Sequence, residues 1–277
     1  MRIAITGANG QLGQAFQAAL SAEHELIPLG HADIELGHPD CVERLVATSA
    51  ELVIHPAAYT DVDGCARDPE RAYRVNGLGA QYVALACRQL GAPLVYVSTN
   101  EVFDGAAATP YFEYDRAAPI NAYARSKWAG EQAVRETLDR FYIVRVAWLF
   151  GGARNFVRTV LRLAAERDSI SMVADEVGSP TYAPDAAWAL ARLIQLPFYG
   201  TYHLVNEGTC SRFEFAADVL RLAGREQVAL RPMRLAEFKR DTVVPLYTPL
   251  RNVAAAALGI RLRPWQEALA DYLQSLS

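Results

Sequence analysis

The first thirteen residues constrain this chain most. An apolar run, Arg2–Thr6, stops at Gly7, and glycines return at positions 10 and 13 as a segment of helical period begins, Leu12–Ser21. That order, strand then glycine turn then helix, carries a physical meaning. Gly7 permits a tight turn, Gly10 lets backbone N–H groups approach an anion closely, and Gly13 lets the helix pack on the strand with its positive end facing that anion. A dinucleotide pyrophosphate suits such a turn.

The alternation continues beyond it. Apolar runs at Glu25–Leu29, Leu52–His55 and Leu94–Ser98 are separated by segments of helical period, Asp40–Ala47 and Pro69–Gln89. A helix at Tyr123–Glu136, a strand at Tyr142–Phe150, a helix at Phe156–Glu166 and a strand at Thr201–Val205 follow. Repeated strand and helix predict an α/β fold, a doubly wound parallel sheet with helices on both faces. From Gly151 onward the alternation loosens, and prolines at 180, 184, 197, 232, 245, 249 and 264 cut the chain into short pieces. The expected organisation is a nucleotide-binding domain over residues 1–150, with residues 178–206 returning to it. Residues 151–277 are expected to form, for the most part, a smaller and irregular C-terminal substrate-binding lobe.

Composition narrows the partners. Lys and Arg number 27 against 31 Asp and Glu, a net charge of −4, so the basic excess that a nucleic-acid backbone demands is missing. Four scattered cysteines form no CxxC pair or Cys/His cluster, which predicts reduced thiols and no metal. No apolar run approaches 18 residues, and the chain starts directly on its first strand. A cytoplasmic protein with neither leader nor membrane span is therefore expected.

Only Lys127 and Lys239 are lysines; the remaining basic residues are arginine. Lys127 follows Tyr123 by four residues, on the same face of the predicted helix. With 13 tyrosines and two lysines in 277 residues, chance gives about 0.1 such pairs. An unperturbed phenol is a poor proton donor near neutrality, and a neighbouring ammonium stabilises its phenolate. The pair therefore reads as a proton-delivering unit, with a surface ion-dipole pair as the plain alternative. Thr99, at the carboxyl end of Leu94–Ser98 where doubly wound sheets bind ligands, can hydrogen-bond a carbonyl oxygen or cap the next turn. After the second strand no acid stands at Leu29-Gly30-His31 to repel a 2′-phosphate, so both NADH and NADPH stay open, with His31 a candidate phosphate neighbour.

Together these stretches resemble the extended short-chain dehydrogenase/reductase superfamily, and within it the dTDP-4-dehydrorhamnose reductase family. The resemblance rests on GANGQLG (7–13), PAAYTDVDGCA (56–66), VSTNEVFDG (97–105), PINAYARSKWAGE (119–131), RVAWLFG (145–151), NFV (155–157), GSPTYAPDAA (178–187) and GTYHLVNEGTCSRFEFA (200–216). It implies a Rossmann sheet and NAD(P)H-dependent reduction of the C4 ketone of a dTDP-4-keto-6-deoxy sugar. It further implies that Tyr123 delivers the proton, Lys127 holds the nicotinamide ribose and keeps the phenol acidic, and Thr99 orients the carbonyl. Gly7, Gly10, Gln11, Leu12, Gly13, His31, Asp33, Ile34, Ala58, Tyr59 and Thr60 would line the cofactor, together with Tyr123 and Lys127. Thr99, Asn100 and Trp148 would touch the sugar. Asn76 fits either a cofactor role or packing. The partners implied are a small nucleotide-sugar substrate and, at most, a second copy of the chain in a homodimer.

Two departures stand out. Asn100-Glu101 replaces the family's Asp-Tyr after the strand-end Thr, and Pro245–Asn252 lacks its Arg-Pro and Ser-Leu-Asp pattern. Asn100-Glu101 also half-matches the Asp-Glu of nucleotide-sugar dehydratases. A dehydratase or epimerase, and a catalytically silent regulatory subunit, are the competing readings.

Overall fold

The computed structural model describes residues 1–276. β1 (Arg2–Thr6) is followed by α1 (Gln11–Leu20), β2 (Glu25–Leu29), α2 (Cys41–Val46), β3 (Leu52–His55), α3 (Val62–Arg67) and α4 (Pro69–Ala72). Next come α5 (Gly79–Leu90), β4 (Leu94–Thr99), α6 (Ala122–Thr137), β5 (Phe141–Val146), β6 (Leu149–Phe150) and α7 (Phe156–Glu166). The remainder holds β7 (Ser169–Val173), β8 (Val177–Gly178), β9 (Thr181–Tyr182), α8 (Ala183–Leu193), β10 (Gly200–His203), β11 (Cys210–Ser211), α9 (Arg212–Leu222), β12 (Ala229–Met233), α10 (Ala254–Ala257) and α11 (Trp265–Gln274).

Six strands form one sheet in the order β10-β5-β4-β3-β1-β2, with every pairing parallel. The fold is the doubly wound one that the alternation predicts. Period-2 alternation sorts each strand between two cores. Ile3 and Ile5 face α1 and α8 through Phe16, Ala186 and Leu190, whereas Ala4 faces α2 and α5 through Leu45, Val83 and Cys87. A third cluster, built on Phe150, Val160, Phe215, Trp265 and Leu269, lies under α7, α9 and α11. The chain runs from β1 out to β2 and then returns to β3 on the other side, so the sheet's switch point lies between β1 and β3. Ligand clefts open at the carboxyl ends flanking such a point.

Two expected elements are interrupted. The strand expected at Tyr142–Phe150 ends at Val146, because Trp148 takes a left-handed conformation (φ 42°) that redirects the chain. β6 then pairs with β9, outside the main sheet. The helix expected at Pro69–Gln89 contains a π-helical turn at Tyr73–Leu78, which aims Asn76 inward. Such single π turns recur where a helix must present a side chain out of register.

All four cysteines are buried free thiols. Among the described residues no helix is long and apolar enough to cross a membrane, and no three His, Cys, Asp or Glu side chains gather into a metal set.

Candidate active site

A cavity of about 790 Å³ opens at the carboxyl ends of β1, β3 and β4. At its floor, the carbonyl of Gly7 (φ 60°) accepts the Gly10 N–H at 2.9 Å, which closes the turn. A methyl on Gly7 would lie 2.9 Å from Ala57, and one on Gly13 would strike the Gly7 carbonyl and come within 2.8 Å of Ala8 Cα. Side chains at these two positions would collide with Ala57 and with the turn's own backbone, so the tight turn depends on glycine there. Ser98 Oγ, also in the wall, is buried without a hydrogen-bond partner among the described residues.

Gly7, Gly10, Gln11, Leu12, Gly13, His31, Ile34, Ala58, Tyr59, Thr60, Thr99, Asn100, Tyr123 and Trp148 all line this one cavity. Asp33 and Lys127 are not in its wall. The Asp33 carboxylate turns back to accept the Gly30 N–H at 2.7 Å, fixing the loop after β2. Lys127 is 2% exposed, and its Nζ donates to the Val97 carbonyl at 2.8 Å while lying 4.2 Å from the centre of the Tyr96 ring.

α6 carries Tyr123 and Lys127 in its first turns. Its start is fixed by Asn121, whose Oδ1 accepts the Ala124 N–H at 2.8 Å. Such a cap satisfies an otherwise orphaned donor. Gly130, further along, lets the helix touch the main chain: a methyl there would meet Asn76 O at 2.7 Å and strike the Tyr96 hydroxyl. Asn76 accepts the Tyr59 N–H at 2.7 Å and donates to the Tyr59 carbonyl and to Ser126 Oγ at 3.0 and 2.9 Å. It thereby ties the loop after β3 to α6, which settles its place as a buried brace.

The Thr99 hydroxyl stands beside the Tyr123 phenol and favours its ionised form, and Thr99 Oγ1 accepts the Glu101 N–H at 3.2 Å. Burial, with Glu101 adding to it, raises the Tyr123 phenol above its ordinary value. This differs from the expected acidification by Lys127, because the ammonium faces Val97 and Tyr96. Burial also drives Lys127 down to about 7, against a weaker upward pull from Glu131.

Several wall residues escaped the sequence reading: Asn9, Arg71, Arg154 and Arg212 among them. Arg71 lies 4.6 Å over the Tyr59 ring. Arg212 lies 3.5 Å over the Trp148 ring and donates twice to Glu176, at 3.2 and 3.1 Å. Nothing in local spacing marks these arginines in a chain so rich in them. The two departures from the family pattern meet here: Asn100 Nδ2 donates to Thr248 Oγ1 at 2.6 Å.

With this geometry the comparisons agree. The family model described as RmlD substrate binding domain matches residues 1–277. The dTDP-4-dehydrorhamnose reductase of Mycobacterium tuberculosis is 40% identical over 98% of this chain and 92% of its own length. The chain belongs to the dTDP-4-dehydrorhamnose reductase family. Two solved structures described as dTDP-4-dehydrorhamnose reductase superpose closely. That from Clostridium acetobutylicum has a TM-score of 0.96 at 37% identity, covering 100% of this chain and 99% of its own. That from Bacillus anthracis, solved in complex with NADP, has a TM-score of 0.95 at 39% identity and covers 99% of each chain. In this dTDP-4-dehydrorhamnose reductase family member, the Gly7–Gly13 turn and Tyr123 face one another across a shared cavity.

Proposed function

We propose that the protein reduces the C4 ketone of a dTDP-4-keto-6-deoxy sugar with NADPH or NADH, converting dTDP-4-dehydro-L-rhamnose to dTDP-L-rhamnose. The observation that carries this reading is the single cavity in which the glycine turn, Thr99, Tyr123 and Trp148 converge. The Cβ-free cradle of Gly7, Gly10 and Gly13 fits a dinucleotide pyrophosphate at the start of α1. His31 and Ile34, beyond β2, would hold the adenosine end, and Ala58, Tyr59 and Thr60 the central part. When bound, the reduced nicotinamide supplies the hydride.

The chain's own residues handle the oxygen and its proton. Thr99 orients the ketone through its hydroxyl, and Tyr123 donates the phenolic proton to the oxygen as negative charge develops on it. A raised pKa keeps that proton in place at neutral pH, which suits an acid. Lys127 would engage the nicotinamide ribose with a second ammonium N–H, while its bond to the Val97 carbonyl holds β4 against α6. Asn100 and Trp148 would meet the sugar nucleotide from residues 1–150, which also hold the cofactor, and Arg212 would meet it from residues 151–277. Buried free thiols suit a cytoplasmic setting.

The test is to incubate purified protein with NADH or NADPH and dTDP-4-dehydro-L-rhamnose generated in situ, following absorbance of the reduced cofactor. Stoichiometric oxidation supports the reductase over an epimerase that recycles its cofactor. Bound cofactor with no oxidation would overturn the reading.

A further inference from the structure

Glu101 lines the cavity beside Thr99 and Tyr123, where the family resemblance places a tyrosine. Its Oε2 accepts the Asn121 Nδ2 at 2.9 Å. That same amide donates to the Val243 carbonyl at 3.1 Å, and its oxygen caps α6 two residues before Tyr123. The Glu101 carboxylate is thus joined to the helix that carries the proton donor, and the Glu101 backbone N–H to the Thr99 hydroxyl beside that donor. We propose that Glu101 is a positioning residue for Tyr123: it fixes the start of α6 through Asn121, and its negative charge holds the phenolic proton on Tyr123 until the substrate oxygen claims it.

The inference rests on the reductase reading for what Tyr123 does, but the coupling of the two groups is a property of the protein itself. The charged neighbours are few. Glu101 faces Tyr123 from α6, Glu176 from the segment before β8, Arg212 from α9 and Arg240 from the segment after β12, with the Cys65 thiol of α3 nearby. Burial and Glu176 push the Glu101 carboxyl up; the Asn121 hydrogen bond and the two arginines pull it back. Loss of its charge leaves Tyr123 buried but without a nearby anion, so the phenolate becomes easier to form.

The experiment uses protein labelled with 13C at tyrosine Cζ and saturated with oxidised cofactor, NADP or NAD, whichever it binds. The Tyr123 resonance is identified by its absence from Tyr123→Phe. Glu101→Gln retains an oxygen for the Asn121 amide and removes the charge. Its Tyr123 resonance should ionise about one pH unit lower than in the wild type, and the basic limb of kcat/KM should move the same way. Glu101→Tyr, which restores the family's residue and is also uncharged, should shift in the same direction and serves if the glutamine variant folds poorly. A Tyr123 resonance that titrates at the same or a higher pH in the variants, or in none of the proteins, overturns the proposal. The titration needs no sugar, so its failure is separate from a failure to oxidise cofactor on the proposed substrate.

Discussion

Lys127 donates its ammonium to the Val97 carbonyl at 2.8 Å, inside the protein rather than in the cavity wall. Its pKa falls from 10.5 to about 7 because burial penalises the charged form. Protons therefore bind more weakly in the folded state than in the unfolded one. The resulting cost to stability is absent above about pH 10.5, grows as pH falls through the window to about 7, and is fully present below it. It amounts to at most about 5 kcal/mol. Lys127→Met should thus gain stability relative to wild type as pH falls from 10 to 7, read from urea midpoints at several pH values. A stability gap that does not change with pH would show that the lysine stays charged at no cost.

Tyr123→Phe removes one hydroxyl from the cavity and leaves the ring in place. Since the lost group supplies a proton, kcat should fall by about 10²–10⁴-fold while the cofactor Kd changes by less than about threefold. Single-turnover kinetics and cofactor fluorescence measure the two quantities. Retained turnover would assign the proton to another group.

Gly178 has the Trp148 indole packed where a side chain would begin: a methyl there would sit 2.7 Å from Cζ2. Gly178→Ala should therefore push the indole off the Arg212 guanidinium and into the cavity. The expected result is a KM for the sugar nucleotide raised by about tenfold, with cofactor affinity unchanged, because the glycine turn is remote from it. Equal losses in both would place Trp148 outside the substrate contact.

Arg145 and Glu131 form a buried ion pair, 2% and 0% exposed, with two hydrogen bonds of 2.9 and 2.8 Å. Among the described residues, removing Arg145 leaves the buried Glu131 carboxylate only the longer contact with Arg135, at 3.5 Å. Arg145→Met should cost about 3–5 kcal/mol in equilibrium unfolding, and the double replacement Arg145→Met with Glu131→Leu should recover much of it. Additive losses would mean the two charges are independently solvated.

The sheet and most of the cavity were legible in the sequence because their signals are local. Alternating apolar runs imply the parallel sheet, and the glycines of 7–13 imply the cradle whatever the rest of the chain does. The interruptions were not legible. A left-handed Trp148 and a π turn at Asn76 have no signature in hydrophobic period; each exists because a distant partner, Arg212 for one and the Tyr59 backbone for the other, holds it there.

By itself the sequence determined which residues would stand at strand ends and which pair, Tyr123 and Lys127, would share a helix face. Tertiary structure decided what each of them meets. Four residues apart on α6, one side chain opens on the cavity beside Thr99 and Glu101, and the other is buried against Val97 and Tyr96. Helical spacing fixes direction only, whereas burial and charge come from β4 and from Glu101 on the loop after it. Those neighbours raise the phenol of Tyr123 and lower the ammonium of Lys127.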